Sequence, residues 1–206
     1  MGVLLDPATR VDRMSSVAAT PVTHRDRMLS AAARFTAVNG WGALTMGKLA
    51  ELVGVSRQTV YNEIGGKPQL AEAMVLRELE MFLDVVDSAF QDNPEDLVRA
   101  IEAAAFRVLE LARTDPLLHA ILSSSQGADS ELLPLLTTNS EPLLGAAGQM
   151  IREHVATYDV HLEEQRVEVL IDMVVRLVLS HVMQPTAQPA ETAETIAWIS
   201  TQVLSA

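Results

Sequence analysis

From Arg57 to Asn62, five of six consecutive side chains can donate or accept hydrogen bonds, and the remaining one, Val60, is apolar. Arginine can pair with guanine and glutamine with adenine, Thr59 can touch a thymine methyl or a phosphate, and Tyr61 and Asn62 can reach phosphates or base edges. Ser56 stands just before this run and Lys67 just after it, with Thr45 and Lys48 a short distance upstream. Hydroxyls, first-turn amides and an ammonium group suit a phosphate backbone. Thr45, Lys48, Ser56, Arg57, Gln58, Thr59, Tyr61, Asn62 and Lys67 are therefore the expected contacts to double-stranded DNA. A solvated face on an ordinary helical bundle is the competing reading of the same residues.

Catalytic chemistry finds less support. The chain has no cysteine, which removes thiol nucleophiles, disulfides, Cys-ligated zinc and iron–sulfur clusters. Asp115, His119 and Ser123 are each one helical turn apart, but no nucleophile elbow or glycine-rich oxyanion loop accompanies them. Gly42 to Leu49 approximates a phosphate-binding loop, yet Leu49 replaces the magnesium-binding hydroxyl and no strand precedes it. His154, His161 and His181 are too irregularly spaced for a metal-binding face. The sequence thus predicts no catalytic residue, no metal and no cofactor, and the chain is not expected to be an enzyme.

The elements that must position the polar run are helical. Thr23 can cap a first helix whose apolar face is Met28, Ala31, Ala32, Phe35 and Val38, ending at Asn39-Gly40. Thr45 can cap a second helix carrying Met46, Leu49, Ala50 and Val53 inward, with Gly54 as its stop. Ser56 caps a third, through Ile64, that turns Val60 and Ile64 inward and leaves the polar residues outside. Two short helices joined across a glycine-containing turn form a helix-turn-helix, whose second helix fits the major groove. Beyond Gly65-Gly66, helices are expected over about Pro68–Phe90, Pro94–Arg113, Pro116–Leu122, Glu141–Tyr158, Leu162–Met183 and Ala190–Leu204, mostly opened by prolines. No segment alternates with a period of two, so the chain is predicted to be all-α.

Charge follows the same division. Overall, 15 Lys and Arg face 27 Asp and Glu, a net −12 that by itself argues against nucleic acid. Residues 1–22, with Arg10 and Arg13 against Asp6 and Asp12, are neutral and lack periodicity, and read as a flexible arm. Residues 23–67 carry six cations against three carboxylates, a net +3, and residues 68–206 carry −15. A basic helix-turn-helix domain over 23–67 and an acidic helical domain over 68–206 are expected. The first residues lack a signal-peptide pattern, and Asp172 and Arg176 interrupt the longest apolar region, so no membrane partner and a cytoplasmic location are expected.

The segment from Arg25 to Leu70, RDRMLSAAARFTAVNGWGALTMGKLAELVGVSRQTVYNEIGGKPQL, resembles the N-terminal domain of the TetR family of bacterial transcriptional repressors. The matching features are the alanine-rich first helix closed by Gly40, Thr45, Leu49-Ala50, Gly54-Val55-Ser56, Thr59, Tyr61, and Lys67 followed by Leu70. Thr36 after Phe35, Gly47, Glu63 and Ile64 depart from the usual pattern. Glu63 is notable because a carboxylate at the end of a reading helix would face phosphates. It must point aside, accept from a cytosine amino group or pair with a cation.

The resemblance implies a palindromic operator, a homodimer and a small-molecule effector held in the second domain. Apolar residues at inward-compatible spacing, Phe82, Val86, Phe106, Leu109, Leu118, Leu122, Leu144 and Met150, together with His154, are the candidate effector lining. They would suit a hydrophobic or amphipathic ligand, with His154, Gln149, Asn139 and Arg113 as candidate polar anchors. Plain core packing is the competing reading of each apolar position. Glu164, Glu168, Asp172, Arg176 and Ser180 form a narrow polar stripe on a helix otherwise apolar around most of its circumference. Such a helix must be covered on two sides. Val167, Ile171, Val174 and Val178, with Trp198 and Ile199 of the last helix, are the expected dimer interface.

The expectation is a ligand-responsive repressor that leaves its operator when a hydrophobic effector binds. Its rivals are a helical module acting through protein contacts and, further off, a helical enzyme using the C-terminal pocket.

Overall fold

A computed structural model describes residues 23–123 and 132–205 of the chain; the arm expected over 1–22 lies outside the described residues. The described residues form ten α-helices and one 3-10 turn, with no strand among them, as the periodicity predicts. The head consists of α1 (His24–Asn39), the 3-10 turn Trp41–Ala43, α2 (Met46–Val53) and α3 (Arg57–Ile64). The body follows as α4 (Lys67–Asp92), α5 (Leu97–Thr114), α6 (Pro116–Ser123), α7 (Leu133–Leu136), α8 (Glu141–Val155), α9 (Glu164–Met183) and α10 (Pro189–Leu204).

Local chemistry sets the boundaries of the head. Thr23 and Asp26 form a reciprocal capping box, the Thr23 hydroxyl accepting from the Asp26 N–H at 3.0 Å and the Asp26 carboxylate from the Thr23 N–H at 2.9 Å. Thr45 accepts from the Lys48 N–H at 3.1 Å and Ser56 from the Thr59 N–H at 3.0 Å, so each short helix has one of its orphan donors satisfied. Gly54 ends α2 with φ +74°, a left-handed conformation that a side chain would make costly.

In the body, α5 starts at Leu97 under an Asp96 cap rather than at Pro94, and α8 stops at Val155, short of Tyr158. The turn at Trp41 and the four-residue α7 have too few residues to show a period, which is why the sequence pattern omits them.

Two cores divide the molecule. The first joins Met28, Ala32, Leu44, Leu49 and Val60 of the head to Leu70 and Met74 of α4 and to Leu117 and Ile121 of α6. The second gathers Val86 and Phe90 of α4, Ala100, Ile101 and Ala104 of α5, Ile171 of α9 and Ala193 and Ile196 of α10. Helix α4 therefore runs through both, and α6 adds a second bridge from body to head. No described helix is long and apolar enough to cross a membrane.

Candidate functional site

Val60 and Ile64 bury the inner side of α3 against the head, and this orients everything else on the helix. Arg57, Gln58, Tyr61 and Asn62 consequently share the exposed side, with Tyr61 half exposed at 50%. Gln58 donates to Asn62 at 2.8 Å, holding two carboxamides side by side one turn apart. Thr59 is half-buried, and its N–H and hydroxyl both engage Ser56, so these two residues shape the start of the helix as well as its surface.

The flanking cations are more constrained. Lys48 lies 3.3 Å from Glu51, an exposed pair of small energetic weight. Lys67 is half-buried, its ammonium 4.8 Å from the centre of the Trp41 ring while donating to the Trp41 carbonyl at 3.2 Å. It ties the loop after α1 to the start of α4. Arg25 donates to the Glu63 carbonyl at 2.7 Å, so a cation covers the C-terminal end of α3 while the Glu63 side chain is exposed.

Sequence reasoning missed the role of Gly47. A Cβ there would stand 2.7 Å from Nη2 of Arg57, so the guanidinium lies against the first turn of α2 in the space that glycine leaves free. Glycine inside a helix costs roughly 1 kcal/mol relative to alanine. Here that cost coincides with a seat for the arginine that leads the exposed face. Because the pairing crosses from one helix to another, only the departure from the family pattern at Gly47 could have signalled it.

The body holds a partly open apolar cavity of about 170 Å³ lined by α4, α5, α6, α7, α8 and α9. Phe82, Val86, Leu118 and Leu144 line it. Other members of the expected lining lie elsewhere. Phe106 is 40% exposed, because α5 turns Ala104, Ala105 and Val108 to the cavity and leaves Phe106 to one side. Leu109 and Leu122 border a separate recess with Arg113, His119 and His181. Met150 packs against the second core without lining the cavity. His154 stacks on Phe90 at 4.8 Å and meets Asp87 at 2.9 Å.

The expected polar anchors also lie outside the cavity. Gln149 donates to Glu153, Arg113 to Glu110, and Asn139 is exposed. Among the described residues the cavity wall has one polar member, Glu78. Burial and the Asp115 carboxyl beside it push the Glu78 carboxyl up to about 8, against a smaller opposing pull from Arg77. Glu78 and Asp115 are far apart in sequence, and their meeting depends on how α4 packs against the start of α6.

The proposed interface residues on α9 require correction too. Val167, Ile171, Val174 and Val178 face the body's own second core, and Val174 and Val178 also line the cavity. The outward side of α9 carries Val169 and Met173, 58% and 52% exposed, and on α10 Trp198 is 62% exposed and Ile199 half-buried. A helix apolar on nearly every side does not reveal which side its own chain will cover. Packing against α5 and α8 makes that choice.

Asp115 accepts from the Leu118 N–H at 2.6 Å, while His119 and Ser123 are exposed. No group of three potential metal-binding side chains occurs among the described residues.

Residues 28–74 match the profile of bacterial regulatory proteins of the tetR family. Residues 96–202, half of the chain, match the bacterial tetracyclin repressor C-terminal domain. The chain is 28% identical over 191 residues to the HTH-type transcriptional regulator AlkX of Mycobacterium tuberculosis, covering 93% of this chain and 90% of that protein. Its fold is similar to that of the TetR family repressor AlkX from Dietzia sp. strain DQ12-45-1b, with a TM-score of 0.73 at 22% identity over 91% of this chain and 98% of that one. It is also similar to the transcriptional repressor QsdR of R. erythropolis, with a TM-score of 0.57 at 18% identity over 88% and 94%.

Proposed function

The chain belongs to the TetR family of transcriptional regulators, and from that premise we propose that it is a homodimeric repressor whose hold on a palindromic operator is released by a small aliphatic effector. One observation carries this reading: α4 packs into the head at Leu70 and Met74 and into the cavity wall at Phe82 and Val86. A ligand that spreads the cavity must strain or shift the helix on which the reading head is mounted.

The outer face of α3 supplies the DNA contacts, with Arg57, Gln58, Tyr61 and Asn62 reading the major groove and Thr45, Lys48, Ser56, Thr59 and Lys67 placed near phosphates. Two copies joined through the outward faces of α9 and α10 would place two such helices on successive half-sites. Release is then a population shift, the effector binding more tightly to an arrangement whose two heads no longer match the groove spacing. The apolar wall supports an aliphatic ligand, and so does the relative from Dietzia, described as implicated in biodegradation of n-alkanes. The reading is tested by a gel shift on the DNA immediately upstream of the chain's own coding region, titrated with octane or 1-octanol. Release on saturation supports it, and unchanged affinity with either probe bound refutes it.

A further inference from the structure

The wall between cavity and head contains an acid pair. Glu78 lines the apolar cavity on one side and, on the other, a groove between α1, α4 and the start of α6 that also holds Arg34, Arg77 and Asp115. Asp115 is only 7% exposed, its carboxylate accepts from the Leu118 N–H at 2.6 Å, and the Glu78 carboxyl lies beside it in the groove. The apolar cavity is thus bordered by the Glu78 carboxyl, with the Asp115 carboxyl behind it on the groove side.

The nearby cations do not face the cavity. Arg77 donates to the Asp26 carbonyl at 2.9 Å and to the Ser30 hydroxyl at 2.6 Å, both on α1. Arg34 borders the groove, and Arg113 is occupied by Glu110 at the surface. His119 of α6 is exposed. A ligand in the cavity therefore meets a hydrogen-bonding group backed by a second carboxyl, while Arg77 exerts only a smaller pull from the groove side.

We propose that Glu78 is the head-group anchor of the cavity, selecting an aliphatic chain that ends in a hydroxyl and rejecting the matching carboxylate. A ligand hydroxyl can donate to the Glu78 carbonyl oxygen while the Glu78 O–H continues to serve Asp115. A ligand carboxylate would bring a second negative charge to a pair that already carries one, in a place where water screens poorly. The cavity is slightly larger than an engineered one of about 150 Å³ that admits benzene, so it has room for a short aliphatic chain, tested here with eight carbons. The inference rests on the effector reading above, but its test reads ligand binding alone, without DNA.

The experiment compares 1-octanol, octanoate and octane by calorimetry and thermal shift on the full chain at about pH 7.5, where octanoate is ionised. The expected result is 1-octanol binding at least about tenfold more tightly than octanoate, and more tightly than octane. The double variant Glu78→Gln/Asp115→Asn is nearly isosteric, keeps a capping side chain at 115 and removes the charge, so the gap between alcohol and acid should close to about threefold or less. Glu78→Gln alone retains the Asp115 charge and should preserve the gap, while abolishing the further loss of octanoate affinity as wild type passes about pH 8. Octanoate binding as tightly as 1-octanol in wild type, or a gap unchanged in the double variant, overturns the proposal. Octane binding as well as 1-octanol also overturns it while leaving the cavity as an effector site. Failure of all three probes to bind removes both readings.

Discussion

The head and the body solve the burial problem differently. In the head, a few side chains from its three helices and the turn between the first two are fully buried, among them Met28, Leu44, Leu49 and Val60. In the body, long helices surround a cavity, and α9 leaves Val167, Val174, Val175 and Val178 only partly covered. A close-packed core transmits displacement as a unit, whereas a hollow one can take up volume locally. The difference suits the roles proposed above, a reading surface that keeps its shape and a sensor that changes shape, with α4 belonging to both.

The contrast is sharpest in stability. Leu49→Ala should cost about 2–5 kcal/mol, because a filled core cannot close over the lost volume. Leu144→Ala, on the cavity wall, should cost about 1–2 kcal/mol, since fewer neighbours are lost where space already exists. Urea denaturation of the two variants measures both, and equal losses would break the distinction between the cores.

The outer surface of the head should behave oppositely to its core. Arg57→Ala/Tyr61→Ala should reduce affinity for the upstream DNA by about 100- to 1000-fold in fluorescence anisotropy. The same variant should shift unfolding free energy by no more than about 1 kcal/mol, both side chains being exposed. A collapse of folding instead would make α3 a structural element.

On the body surface, Trp198→Glu should weaken dimerisation about thirtyfold or more, read by sedimentation velocity. Loss of the dimer from Val167→Ala, with Trp198→Glu silent, would return the interface to the buried side of α9.

The pH dependence of stability isolates one group at the border between the two regions. Glu78 has its folded value raised to about 8 from an ordinary 4.5, so between those values the native chain holds more of this proton than the unfolded chain does. Stability from this group is present in full below about pH 4.5, declines as pH rises and is lost above about 8. Glu78→Gln should flatten that decline in urea titrations across the same range, and a slope that persists would assign it to other groups.

How much of this could be read from the sequence depends on the range of each interaction. Thr23, Thr45, Ser56 and Gly54 act within a turn of themselves, and their caps and stops were legible, as was the exposed polar side of α3 opposite Val60 and Ile64. Nearly continuous apolarity hid the orientation of α9, since Val169 and Val167 are equally apolar and only tertiary packing tells them apart. Gly47 with Arg57 and Glu78 with Asp115 were illegible for a related reason: each pair exists only where two helices meet. The net charge was misleading as an average, because the acidic residues sit mainly in the body. Under the proposed function, their repulsion of DNA should favour selective over indiscriminate binding.

The central claim is that the exposed side of α3 reads DNA specifically. Anisotropy of a labelled duplex from the region upstream of the coding sequence, titrated with wild type and with Arg57→Ala/Tyr61→Ala over a range of salt, tests it most directly. The account predicts saturable wild-type binding that resists unrelated competitor DNA, weakens linearly in log–log form as salt rises, and is lost in the variant. Equal binding by both proteins, or displacement by unrelated DNA as readily as by the same duplex, would contradict it.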